Sequence, residues 1–272
     1  MSSATLAPGG SGIISTRVNG DADFNARTTR RASALLLGEA GHERADLTID
    51  QTVDTPIGSG FGASAAAATS AVYAVAAAAA FKRPKPELAL YAHRAEIFEQ
   101  TGLGTVSVIF DSVGAGAITV PGEPGAAQFV TVKVPKETRI VTAFLAPYDK
   151  KDALSSRPVS EKINRLGRSA LDAFLADPNI DSLALQGERF SASLGLESPE
   201  VKRMIRLAKS AGASRASQNM IGYAIHCLVD SDGTAKVANA LRGVGNVRVD
   251  VFEVGRQKAG VIRPSRRRRG PS

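Results

Sequence analysis

Tryptophan is absent from this sequence, and aromatic residues make up only 5% of its 272 positions. A core built from such a chain must rest on Ala, Val, Ile and Leu. A single cysteine, Cys227, rules out an internal disulfide, points to a reducing, cytoplasmic setting, and is expected to be a small buried hydrophobe. No zinc-ligand spacing is present, and no basic stripe is interleaved with aromatics as nucleic-acid surfaces favour. The opening "MSSATLAPGGSG" has neither a basic region nor an apolar run, so no signal peptide is read there. The longest uncharged stretch, Pro56 to Ala80, is near membrane-spanning length. It is mostly alanine, which contributes little transfer energy, and Thr69, Ser70 and Tyr73 interrupt it. A buried helix that neighbours approach closely is the expectation, not a span.

What is present is 43% hydrophobic residues, enough for one large domain or two smaller ones. The net charge of +8 is unevenly spread, since Arg263 and Arg266 to Arg269 all lie in the closing "RPSRRRRGPS". A solvated tail is the plainer reading of that run; a polyanion-binding arm is the sharper one. Residues 1 to about 55 read as β-rich, with alternation in "DLTID" and a turn signal at Asn19-Gly20. The alanine helix follows, then a break at Pro84 and Pro86, then the helix "PELALYAHRAEIFEQTG". "TVSVIFDSVGAGAITVPG" reads as a short helix, a turn and a strand, and "EPGAAQFVTVKVPK" (123–136) as a boundary. Beyond it, "TRIVTAFLAP", "YAIHCLVD" and "VRVDVFEVG" read as strands, with amphipathic helices between them. Strands and helices alternate without a clean βαβ repeat, so the expected class is α+β in two domains. The expected division is 1–135, 136–262 and a basic tail at 263–272.

The stretch "PIGSGFGASAA" raises a specific question, because three glycines stand directly before an uncharged helix. Gly58, Gly60 and Gly62 allow positive φ and remove side chains from the loop's outer face. A helix N-terminus presents unpaired N–H groups and a positive partial charge, which suits a phosphate. A turn needed only for close packing accounts for the same glycines. No Gly-Lys-Ser/Thr follows, so this is not a Walker loop, and no acidic residue ends a strand some twenty residues later, as a dinucleotide fingerprint needs.

The same stretch resembles the Pro-x-x-x-Gly-Leu-Gly-Ser-Ser-Ala-Ala signature of the GHMP small-molecule kinases, with Phe61 for Leu and Ala63 for the first Ser. "AHRAEIFEQTGLG", "VGAGAITVPGEPGA", "KKDALSSRPVSEKINRLG" and "PEVKRMIRLAKSAGASRASQNMIG" look like segments of archaeal pantoate kinases, in family order. The resemblance implies phosphoryl transfer from ATP to the primary hydroxyl of pantoate, on the archaeal route to coenzyme A. It also implies an N-terminal domain with a left-handed βαβ crossover and a C-terminal ferredoxin-like domain. Pro56, Gly58, Gly60, Gly62, Ala63 and Ser64 would cradle ATP, and Ser64 with Glu96 would hold Mg²⁺. By the same resemblance His93 faces pantoate, Lys150, Lys151 and Asn164 lie in a substrate or nucleotide segment, and Ser217, Asn219 and Gly222 lie near the cleft. The implied partners are pantoate and ATP, with no membrane or nucleic acid and with a homodimer left open.

Three departures from the family pattern stand out. Thr105 occupies the place of an Asp expected in proton transfer or hydroxyl positioning, and threonine is no base at neutral pH. Asp111, one or two turns on, is the candidate to replace it catalytically, with Thr105 left beside the substrate. An arginine expected after "VGAGAI", suited to the pantoate carboxylate, is missing. The N-terminal Gly-Ser-x-Gly-Ala-Gly element is reduced to "APGGSGIIS", with Ser11 in its place on the substrate side, so the first strand is expected to be missing or the start displaced.

Overall fold

In the computed structural model the described residues are 1–102, 104–147, 156–219 and 222–258. The first half opens with strand β1 (Ser2–Ala7), β2 (Ile14–Val18), helix α1 (Arg27–Glu39) and β3 (Asp46–Gln51). These strands form one sheet in the order β1-β3-β2, β1 antiparallel and β2 parallel to β3. Strand β1 pairs in register with β3 from Ser2 opposite Gln51 to Ala7 opposite Asp46. The β-rich reading of residues 1–55 needs correcting, because α1 links β2 to β3. Its buried face is Thr28, Thr29, Ala32, Ser33, Leu36 and Leu37, spaced as a helix but half hydroxylic, so its hydrophobic period is faint.

Helix α2 (Ala63–Ala78) packs against β1, α1 and α3 (Lys85–Phe98). Ala65, Ala68, Ala71, Val72, Val75 and Ala76 are almost wholly buried, so small side chains let three neighbours approach at once. The end of α2 closes with the Phe81 N–H on the Ala76 carbonyl at 2.9 Å, and Ala80 takes φ +51° there in place of the usual glycine. Helix α4 (Thr105–Asp111) completes this core through Val106. The segment read as a boundary contains a strand: β4 (Ala115–Val120) and β5 (Gln128–Val132) form an antiparallel hairpin.

The second half begins with β6 (Thr138–Ala146), followed by helices α5 (Arg157–Ala176), α6 (Ile180–Leu194) and α7 (Pro199–Ser210). Strands β7 (Arg215–Gln218) and β8 (Tyr223–Asp230), helix α8 (Thr234–Arg242) and β9 (Arg248–Glu253) complete it. The sheet runs β7-β8-β6-β9, antiparallel throughout, which is ferredoxin-like. Alternation along the strands divides its two faces. Val141, Ala143, Ile225, Cys227 and Val229 join Val201, Met204, Val237 and Leu241 of α7 and α8 in a second core. Ile140, Thr142, His226 and Phe252 face the other way, toward the glycine loop. Among the described residues, no helix is long and apolar enough to cross a membrane.

Candidate active site

The glycine loop leaves β3 at Gln51 and ends where α2 begins. Gly58, Gly60 and Gly62 take φ of +80°, +82° and +74°, a region that L side chains rarely adopt. Gly62 also needs its missing side chain, since a Cβ there would lie 2.8 Å from the Thr105 methyl. Inside the loop the Ser59 hydroxyl donates to the Pro56 carbonyl at 2.5 Å. Ala63 is the first residue of α2 and is buried.

Ser64 is the second residue of α2, and its hydroxyl donates to Glu96 Oε1 at 2.7 Å across to α3. Glu96 is only 1% exposed, an uncommon burial for a carboxylate. Gly102 makes room for it, because a Cβ at that position would lie 2.6 Å from Glu96 Oε2. A hydroxyl and a buried carboxylate thus meet beside a helix N-terminus whose loop holds three positive-φ glycines. Among the described residues, no group of three or more His, Cys, Asp or Glu could hold a metal by itself. A hard cation such as Mg²⁺ fits this donor set, because it retains waters and takes one or two protein oxygens when phosphates supply the rest. His93 lies one turn before Glu96 on the same helix and is buried. Burial lowers its pKa from the ordinary histidine value, with Glu123 opposing that shift and Arg94 adding to it.

The other candidates are placed differently. Thr105 adjoins the loop through Gly62. Asp111 sits six residues further along α4, about 9 Å along the helix axis. Its Oδ2 accepts the Gly125 N–H at 2.8 Å, so its visible work is to hold the β4–β5 connection. Ser11 is not brought to the loop either. Its N–H, with that of Ile13, donates to Asp46 Oδ1 at 2.8 and 2.9 Å. Asp46 starts β3 whereas Gln51 ends it toward the loop, and a strand of that length spans about 17 Å. Lys150 and Lys151 lie outside the described residues.

The second half closes over the loop. Asn219 Nδ2 donates to the Ser59 carbonyl at 3.2 Å, and His226 Nδ1 meets Asn219 Oδ1 at 2.5 Å. Arg248, on β9, donates to the Asp54 carbonyl at 2.5 Å. A cavity of about 310 Å³ separates Phe61 and Gly60 from Ile140, Thr142, His226 and Phe252. Ser59 and His226 escape a reading of the sequence: one is hidden between glycines and the other sits in an otherwise apolar strand.

Comparison with known proteins bears on this arrangement. Residues 27–111 match the family model for the GHMP kinases N terminal domain. A pantoate kinase of Methanospirillum hungatei is 28% identical over 200 residues, covering 72% of this chain and 64% of its own length. The chain thus spans slightly less than two thirds of that relative. A pantoate kinase of Thermococcus kodakarensis is 29% identical over 214 residues, covering 77% of this chain and 68% of its own. A solved phosphotransferase related to the CoA biosynthesis pathway superposes with a TM-score of 0.79 at 23% identity, covering 94% of this chain and 83% of its own. Residues 27–111 thus resemble the GHMP kinases N terminal domain, and the chain as a whole has an α+β fold like that of the solved phosphotransferase.

Proposed function

We propose that this protein is an ATP-dependent small-molecule kinase that phosphorylates the primary hydroxyl of pantoate to 4-phosphopantoate. The observation that carries the reading is the Ser64–Glu96 pair, 2.7 Å apart beside the positive-φ glycine loop. The pantoate kinase relatives support the choice of acceptor. On this reading the division into 1–135 and 136–262 separates a nucleotide-cradling half from one that closes the cleft, in a cytoplasmic enzyme.

The loop N–H groups and the N-terminus of α2 would bind phosphate oxygens. Glu96 and Ser64 would hold Mg²⁺. ATP supplies the phosphoryl group, and Mg²⁺ offsets charge on its oxygens. Burial of Glu96 fixes its carboxylate in one place, so the donor set needs no rearrangement when the nucleotide enters. Phosphoryl transfer leans on positioning and charge neutralisation, so Thr105 in place of an acid is compatible with turnover. On this reading the pantoate hydroxyl oxygen would form the new P–O bond as the bond to ADP breaks, and the hydroxyl proton would pass to solvent.

A second reading keeps the reaction and changes the acceptor. Thr105 and the missing arginine after "VGAGAI" favour it, since both depart from the pantoate-side pattern. A silent nucleotide-binding relative is a third. Coupled ADP release with Mg·ATP across pantoate, mevalonate, homoserine and shikimate separates them. Turnover of pantoate is expected; turnover of another acceptor alone selects the second reading, and ADP release with none selects the third.

A further inference from the structure

The glycine loop is the least self-supporting part of the site. Glycine is permissive, so three positive-φ glycines in seven residues do not hold one conformation without outside contacts. The contacts come from the second half of the chain. The Asn219 N–H is fixed to the Ala224 carbonyl at 2.8 Å, and its side-chain amide reaches the Ser59 carbonyl at 3.2 Å. Gly60 packs directly on it, since a Cβ there would lie 3.2 Å from the Asn219 carbonyl oxygen.

Donor and acceptor logic assigns the rest. A carbonyl only accepts, so Asn219 must turn its NH₂ to Ser59 and its Oδ1 to His226. Oδ1 also only accepts, so His226 must carry its proton on Nδ1. Nε2, 3.2 Å from Ser217 Oγ, is then left to accept the Ser217 hydroxyl. Three hydrogen bonds thus run in one direction, from Ser217 to His226 to Asn219 and on to the Ser59 carbonyl, while the Ser59 hydroxyl separately donates to the Pro56 carbonyl. Aligned chains of this kind polarise one another, and removing a member leaves its neighbour short of a partner. Burial keeps the imidazole neutral by lowering its pKa, with Glu188 opposing.

We propose that His226 is a positioning residue for the phosphate-binding loop: as the Nδ1–H tautomer it orients Asn219, whose amide clamps Ser59 and sets the loop's shape from the C-terminal sheet. The role in nucleotide binding rests on the kinase reading above; the clamp itself does not. His226→Ala leaves Oδ1 without its donor, whereas His226→Asn places an amide N–H near the Nδ1 position.

Three measurements test this. Calorimetric titration with Mg·ATP is expected to show binding weakened roughly tenfold, the scale of one lost hydrogen bond, in His226→Ala and Asn219→Ala. His226→Asn should return to within about threefold of the wild type. Equal affinity in wild type and His226→Ala, or no recovery in His226→Asn, overturns the proposal. Hydrogen exchange of residues 55–63 should accelerate in His226→Ala while the interior of α2 stays protected; unchanged loop exchange refutes the clamp. If the wild type binds no Mg·ATP, the kinase reading fails while the exchange result still decides the clamp. Should the alanine variant not fold, ¹⁵N spectroscopy of wild-type imidazoles remains decisive, with a neutral Nδ1–H form expected for His226 and an Nε2–H form contradicting it.

Discussion

Replacing Gly62 by alanine should unfold this protein measurably, and the cost divides into two parts that can be measured apart. The first is backbone: φ is +74°, where an L residue carries about 1–2 kcal/mol of strain. The second is contact, because the new Cβ would stand 2.8 Å from the Thr105 Cγ2, against about 3.5–4.0 Å for carbon atoms at rest. Overpacking of that kind costs about 1–3 kcal/mol, so the single variant should lose about 2–5 kcal/mol. That is a large share of the ~5–15 kcal/mol typical of a folded domain. Thr105→Ser removes the colliding methyl and keeps the hydroxyl. In that background Gly62→Ala should cost only the backbone share, so the two substitutions should couple by about 1–3 kcal/mol. Urea unfolding of the wild type, both single variants and the double variant measures this. Additivity within about 0.5 kcal/mol would refute the claim that Thr105 forms the wall of the loop.

Ala80→Gly should stabilise the fold by up to about 1 kcal/mol, because Ala80 already holds φ +51° at the end of α2; a lower urea midpoint would contradict the assignment. Acid should destabilise the protein. Burial lowers the pKa of both His93 and His226 from 6.5, so below that pH the unfolded chain binds protons that the folded chain refuses. Unfolding midpoints should be flat above pH 7 and fall from about pH 6.5 downward, less steeply in His226→Gln; a midpoint that holds or rises on acidification speaks against both burials. Glu96→Gln keeps an acceptor for Ser64 but removes the charge, and kcat should drop roughly 100-fold with the fold intact; an undiminished kcat at saturating Mg²⁺ would remove Glu96 from the metal site.

Much of the second half was legible in the sequence because its helices are amphipathic and its strands apolar. The strand "YAIHCLVD" and the helix "PEVKRMIRLAKSAG" emerge as β8 (Tyr223–Asp230) and α7 (Pro199–Ser210). The elements missed are those that lean on partners. Strand β7 is "RASQ", with Ala216 its single apolar side chain, and it exists through its ladder to β8. Strand β5 is flanked by the proline and glycine that marked a boundary, and its pairing with β4 makes it a strand. Helix α1 hides its buried face behind Thr28, Thr29 and Ser33; the Thr29 hydroxyl donates to buried Gln51 at 3.0 Å, an arrangement that hydrophobic periodicity cannot register.

At the site, local physics allowed positive φ or close packing for the glycines, and the fold uses both: all three have positive φ, and Gly60 and Gly62 pack closely as well. The meeting of Ser64 and Glu96 was not readable from local physics, because nothing in a separation of thirty-two residues says that two helices touch there; it came from family resemblance alone. Family resemblance also suggested Ser11 and Asp111, which the fold commits elsewhere: one to Asp46 at the far end of β3, the other to the Gly125 amide. Thr105 shows why a departure from pattern is a poor guide to loss. As a missing acid it subtracts a function, but in the fold its methyl fills the space over Gly62 and helps to fix the start of α2, where Ser64 stands. Thr105 is therefore part of the wall of the glycine loop, whatever the loop binds.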